Sequence, residues 1–287
     1  MDIFQHRPDP VAPEPEVEQR MADNSAFTVL GEAVTDRRED RSVFSSSPEA
    51  GSSAIYVRDG GRLYLKDAEI HGLGAMTQAD LRNELGSKYG FCAAVLSNQK
   101  PSNVTLVEPR IVCHESSTAN GVYAIFGGAI VVEGGTIDTC NRQGHGADAS
   151  YGGHIYLNGT KIHTAGMNSG ALATDFQGGY ITARDITAVT EIPGSPGIYT
   201  AGRSIISAYR STFVSKGCEA VMAAHSHGYT YLYDCTLTGT VALNTHNSMS
   251  PEYSFIHVFG GTLNSTQGSI LCAEDGRDAL VISEGVE

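Results

Sequence analysis

Tryptophan is absent from this 287-residue chain, and no stretch approaches the roughly 18 consecutive apolar residues of a membrane-spanning helix, so nothing in it reads as a bilayer span. Basic residues are scarce: 19 Lys and Arg against 32 Asp and Glu give a formal charge of −13. Nucleic acid and anionic membranes demand basic patches, so neither is an expected partner. The same charge disfavours tight binding of polyanions such as pectate, and it serves solubility. No Cys-x-x-Cys pair occurs among Cys92, Cys113, Cys140, Cys218, Cys235 and Cys272. Structural zinc uses closely spaced ligand pairs, so the cysteines read as reduced core or turn residues. Only Cys113-His114 sets a thiol beside a base, and neighbours on a strand point to opposite faces. No dinucleotide-binding glycine set and no phosphate loop are visible, and no cofactor is expected.

Residues 1–25 also lack the apolar run of a secretory signal. With Met1 as the native start, that reads as a cytoplasmic protein; a trimmed leader would make it secreted or cell-surface instead. This Pro- and Glu-rich piece begins an N-terminal segment, 1–51, expected to be extended or to cap the first repeat.

The chain is rich in repetition. Between Gly121 and Leu263 one short phrase recurs: GGTI at Ile137, GTKI at Ile162, ARDI at Ile186, STFV at Phe213, DCTL at Leu237 and GGTL at Leu263, with gaps of 25, 24, 27, 24 and 26 residues. A second anchor, such as NGVYA at Gly121 or PGIYT at Gly197, keeps the same period. Repetition at this spacing means a solenoid, propeller or array. Each unit holds short runs rich in Val, Ile, Thr and Tyr between Gly, Asn, Asp and Ser, which is the pattern of strands and turns. A propeller blade needs roughly 40 residues. A coil of about 24 residues with three short strands fits an all-β, single-domain parallel β-helix, whose apolar positions stack into one core. The expected extent is 52–287, with a short helix on an insertion at 72–90, where AMTQADLRNEL has helical spacing. A solenoid of this kind can also form a homo-oligomer through an end or a side.

In coil length and turn style the chain resembles the right-handed β-helix proteins of the pectate-lyase-like superfamily, closest to bacterial autotransporter and adhesin-like repeat members. The resemblance implies a right-handed coil and is poor for function. Gly144-His145-Gly146 matches one triplet of the polygalacturonases of this fold, but their NTD, paired DD and RIK motifs are missing. So are the calcium cluster and arginine signature of pectate lyases.

Stacked coils place equivalent residues in columns. Aligned on the Gly anchors, one column reads Val122, Ala147, Ala171, Ile198, Val221, Ala242, small and apolar and hence inward. The next reads Tyr123, Asp148, Leu172, Tyr199, Met222, Leu243 and by alternation faces out. Such an exposed apolar stripe marks either a binding groove or a face that another segment covers. Tyr123, Tyr199, Met222 and Tyr151 are the expected ligand-binding residues. Asp148, Asp175, Arg203, His225 and His246 are the expected catalytic ones. A carboxyl in apolar surroundings has a raised pKa, His titrates near neutrality, and Arg can hold a carboxylate or an enolate oxygen. A metal at His225, His227 and His246 lacks a completing carboxylate cluster and is not expected. Two functions remain open: a cofactor-independent lyase, isomerase or cyclase working on a small or oligosaccharide ligand, and a non-catalytic carbohydrate-binding or adhesin-like solenoid.

Overall fold

The computed structural model describes all residues except 1–12, 32–34, 49–50, 115–118, 225–227, 247–253, 274–278 and 283–284. Between the turns the chain folds into parallel strands that pair coil upon coil, giving a right-handed parallel β-helix of about 9 turns with about 26 residues each and only 8% helix. The strands form two sheets, and the larger comprises two faces joined by the long strands Tyr229–Gly239 and Phe255–Ser265, so each coil presents three faces. The first face contains Val95–Asn98, Val122–Ile125, Ala147–Ala149, Leu172–Thr174, Ile198–Ala201 and Val221–Ala224, paired in that order. The second includes Ala129–Glu133, His154–Asn158 and Tyr180–Arg184, and the third Thr136–Thr139, Lys161–Thr164 and Thr187–Thr190.

The coils begin before Ser52. Phe27–Leu30 pairs in parallel with Ile55–Arg58, and Val43–Ser45 with Glu69–Gly72. The N-terminal segment therefore supplies a first coil of its own, preceded by helix α1, Pro15–Asn24. Strand edges left bare invite pairing with other chains, and this coil occupies one.

The expected core ladder is present with one correction. Ile111, Ile137, Ile162, Phe213, Leu237 and Leu263 stack inward, but the residue paired between Ile162 and Phe213 is Ala188 and not Ile186. Ile186 is still buried, two positions earlier at the corner where the neighbouring coils carry Thr160 and Ser211. Residues two apart on a strand share a face. A large-small pair here replaces the small-large pair of the coil before, which keeps the core volume roughly constant.

A second correction concerns register. Asp148 pairs with Ala173, and Met222 with Asn244, so Leu172 and Leu243 belong to the inward column. A one-residue slip moves every side chain to the opposite face. The anchor position preceding the inward residue is small but not always Gly: it is Gly121, Gly146, Ala171, Gly197, Ala220 and Ala242, and the three alanines are fully buried. Smallness is required because the third-face ladder closes on this corner. A Cβ on Gly121 would lie 2.4 Å from Ile137 Cγ2 and 2.4 Å from the Gly146 carbonyl oxygen. Gly121→Ala should cost about 1–3 kcal/mol as overpacking; urea denaturation showing no loss would place the corner elsewhere.

Candidate functional site

With the register set, the outward column of the first face reads Tyr56, Leu96, Tyr123, Asp148, Ala173, Tyr199, Met222, Asn244. Its two halves have different fates. Tyr56, Leu96 and Tyr123 are fully buried because α1 and the insertion lie over them in a second apolar cluster with Met21, Leu85 and Phe91. The insertion carries two short helices, α2 (Gln78–Arg82) and α3 (Leu85–Tyr89). Thr77 and Asp80 form a reciprocal capping box at the start of α2, which satisfies two of its open backbone donors. Asp80 also takes a bidentate contact from Arg20 of α1 at 3.0 and 3.1 Å, tying the two covering elements together. Tyr123 donates its hydroxyl proton to the Ser87 carbonyl and lies 3.0 Å from the Ser150 hydroxyl.

Beyond the insertion the column is open. A groove of about 780 Å³ lies there, lined by Tyr199 and Met222, by Glu84 and Ser87 of the insertion, and by His145 and Asn168 from the turns before the first-face strands. Asp175 and Phe176, just past Leu172–Thr174, also line it. The stripe is therefore both a covered face and a groove, divided at the edge of the insertion.

The expected site residues separate accordingly. Asp175, Tyr199 and Met222 meet in the groove. Asp148, in the same outward column, is fully buried and not part of the groove's lining, and neither carboxyl oxygen completes a hydrogen bond. Tyr123 is sealed under the insertion. Tyr151 is not part of the groove's lining; it stands in a row of stacked rings, 5.0 Å from Phe126 and 6.1 Å from the groove-lining Phe176. Arg203 sits at the corner after Ile198–Ala201 with φ 55°, outside the groove lining. His225 and His227 lie outside the described residues. His246 ends the strand Leu243–His246, and its side chain lies outside them too. Among the described residues no three His, Cys, Asp or Glu side chains are grouped to hold a metal.

The electrostatics centre on two carboxyls. Burial pushes the Asp175 pKa up to about 7; Glu84 nearby adds to this, and the Phe176 amide offsets part of it. Burial raises Asp148 well above the usual carboxylate range, with the Asp175 charge reinforcing it and the Ala149 amide countering weakly. The two carboxyls are therefore coupled: a charge on Asp175 opposes a charge on Asp148. Tyr199, between them electrically, is raised by burial and by both carboxylates.

Two residues that sequence reasoning left aside complete the groove. His145, in the Gly144-His145-Gly146 triplet, accepts the Gly170 amide at Nδ1 over 2.9 Å, which assigns the proton to Nε2. Burial lowers its pKa to about 4, so the ring is a neutral donor at neutral pH. Glu84 precedes α3 in a left-handed conformation, φ 55°. The triplet was the one available signal for His145. Glu84 had none, since the insertion does not follow the coil period.

The burial of Asp148 has a measurable consequence. Its pKa is raised in the fold from an unfolded value near 3.8. As pH climbs past that value the unfolded chain releases the proton while the folded chain keeps it, so this group's contribution falls as pH rises. Asp148→Asn cannot lose a proton. It should match wild type near pH 4 and exceed it by at least about 1 kcal/mol at pH 8, the lower end for an unsatisfied buried group. Urea denaturation at the two pH values checks this; an equal difference at both would refute it.

No family model, no curated protein and no solved structure matches this chain.

Proposed function

We propose that the groove carries out cofactor-independent acid–base chemistry of the lyase or isomerase type on a small or oligosaccharide ligand, with Asp175 as the proton-transfer group. One observation carries the reading: a carboxyl on the wall of a sizeable groove is held near pH 7. A catalytic acid or base works best with its pKa near the working pH. Strongly shifted groups in clefts are candidates for function.

The remaining residues support definite roles. Asp175 takes a proton from a carbon next to a carbonyl. Nε2–H of the neutral His145 donates to the oxygen on which the negative charge gathers. The proton then returns to the former carbonyl carbon while the neighbouring hydroxyl passes its own proton to the enediolate oxygen, which is isomerisation, or a leaving group departs with its bonding electrons from the carbon on the far side of the deprotonated one, which is elimination. Phe176, Tyr199 and Met222 offer ring and thioether surface to the body of the ligand. Kinship with the pectate-lyase-like superfamily is part of the same proposal and rests on coil length and turn pattern.

Incubation of the protein in heavy water with a panel of reducing oligosaccharides tests the reading. Deuterium should enter the carbon next to the carbonyl of a converted ligand, detected by mass spectrometry. Ligands that bind without exchange or turnover would favour the carbohydrate-binding solenoid instead.

A further inference from the structure

Glu69 and His71 stand two apart on the third-face strand Glu69–Gly72, so both side chains leave the coil on the same outer side. His114 follows Cys113, the residue paired with Gly72, and its amide donates to the Gly72 carbonyl at 3.1 Å. Two neighbouring coils thereby bring two imidazoles together. His71 Nδ1 lies 3.4 Å from His114 Nε2, and the rings are tilted by 32° with their centres 5.6 Å apart. Neither ring lines the groove.

The far side of His71 meets a carboxylate. Its Nε2 lies 3.2 Å from a Glu69 oxygen that Arg110 also holds. The carboxylate keeps the His71 proton on Nε2 and leaves Nδ1 as an acceptor turned towards His114. A carboxylate behind an imidazole, fixing its tautomer and raising its basicity, is the arrangement that accompanies metal-bound histidines. The separation of the two rings points the same way. An N–H donor usually approaches its acceptor to roughly 2.7–3.2 Å, closer than the 3.4 Å found here. Two nitrogens each about 2.0–2.1 Å from a tetrahedral zinc ion stand about 3.3–3.4 Å apart.

We infer that His71 Nδ1 and His114 Nε2 chelate one divalent transition-metal ion, such as zinc, on the outside of the third face. Glu69 is the positioning residue and acts through His71. Imidazole suits zinc, copper and nickel, whereas calcium and magnesium take oxygen ligands. Among the described residues no third His, Cys, Asp or Glu is grouped with the pair, so water fills the remaining positions. Cys140, at the position of His114 one coil on, turns its thiol to the Cys113 carbonyl at 3.2 Å and takes no part. The chain's charge of −13 draws cations towards its surface. The site stands independently of the acid–base reading of the groove.

Calorimetric titration of the full chain with Zn²⁺ tests the inference, with nitrogen NMR of the histidine rings identifying the ligating atoms. Zinc should shift His71 Nδ1 and His114 Nε2 and leave His71 Nε2 protonated. His71→Ala and His114→Ala should each weaken zinc binding at least about tenfold, and Glu69→Ala by about 10- to 100-fold. Glu69→Ala should also let His71 sample both tautomers in the zinc-free spectra, which a merely structural role would not produce. Binding should weaken from pH 7.5 to pH 5.5, because protons compete for both rings. Cys140→Ser should change it little. Zinc binding that is unchanged in both histidine variants, or lost in Cys140→Ser, would overturn the inference. So would wild-type protein that binds no zinc, or whose His71 and His114 ring nitrogens do not respond to it.

Discussion

Asp175→Asn should lower turnover in the groove by about 10²- to 10⁴-fold, the range general acid–base catalysis supplies. KM should change little, because the amide keeps the shape of the carboxyl and removes only its proton transfer. The expectation follows from position: Asp175 lines the groove and is tuned to about 7, whereas Asp148 is buried and does not line it. Tyr199→Ala should do the opposite, weakening ligand binding more than the chemical step. A protein that merely holds its ligand would lose affinity in Tyr199→Ala and show nothing in Asp175→Asn. Steady-state rates of the two variants on one converted substrate separate these outcomes.

Phe213→Ala should cost about 3–5 kcal/mol, toward the upper end for an aromatic core truncation. The ring is fully buried in the third-face ladder, between Ala188 of one coil and Leu237 of the next. A site that can collapse after truncation loses less. This one cannot collapse readily, because two of the groups nearest the ring are already minimal: Ala188, and Gly197, where a Cβ would lie 3.2 Å from Phe213 Cβ. Urea denaturation giving a loss under about 1 kcal/mol would mean the ring is not part of the continuous core.

The fold was legible because a solenoid writes its period into the chain. Apolar positions near 25-residue spacing, broken by turn residues, leave few architectures open, and the third-face ladder from Ile137 to Leu263 follows directly. Two details escaped. At Ile186 and Ala188 large and small residues exchange places between the corner and the strand that follows it, so the most apolar residue is not the one in register. At Leu172 and Leu243 the small anchor before the strand is Ala, and an alignment on Gly slips by one.

The candidate site was half legible. The outward stripe with its single charged residue, Asp148, was visible from alternation. Which part of the stripe stays open depends on where α1 and the 72–90 insertion come to rest, and that is decided by long-range contacts such as Arg20 with Asp80 and Tyr123 with Ser87. Periodicity carries no information about those contacts. For the same reason Glu84 was invisible, and His145 looked like an ordinary turn residue until Gly170 fixed its tautomer.

The central claim is that a groove-lining carboxyl stays half-protonated at neutral pH, and its titration can be observed directly. Carbon-13 NMR of the side-chain carboxyls, followed from pH 4 to pH 9 and assigned with Asp175→Asn, should place the Asp175 midpoint at about 7. A midpoint near the ordinary 3.8 would contradict the account, because Asp175 would then be a permanently charged surface group with no proton to exchange.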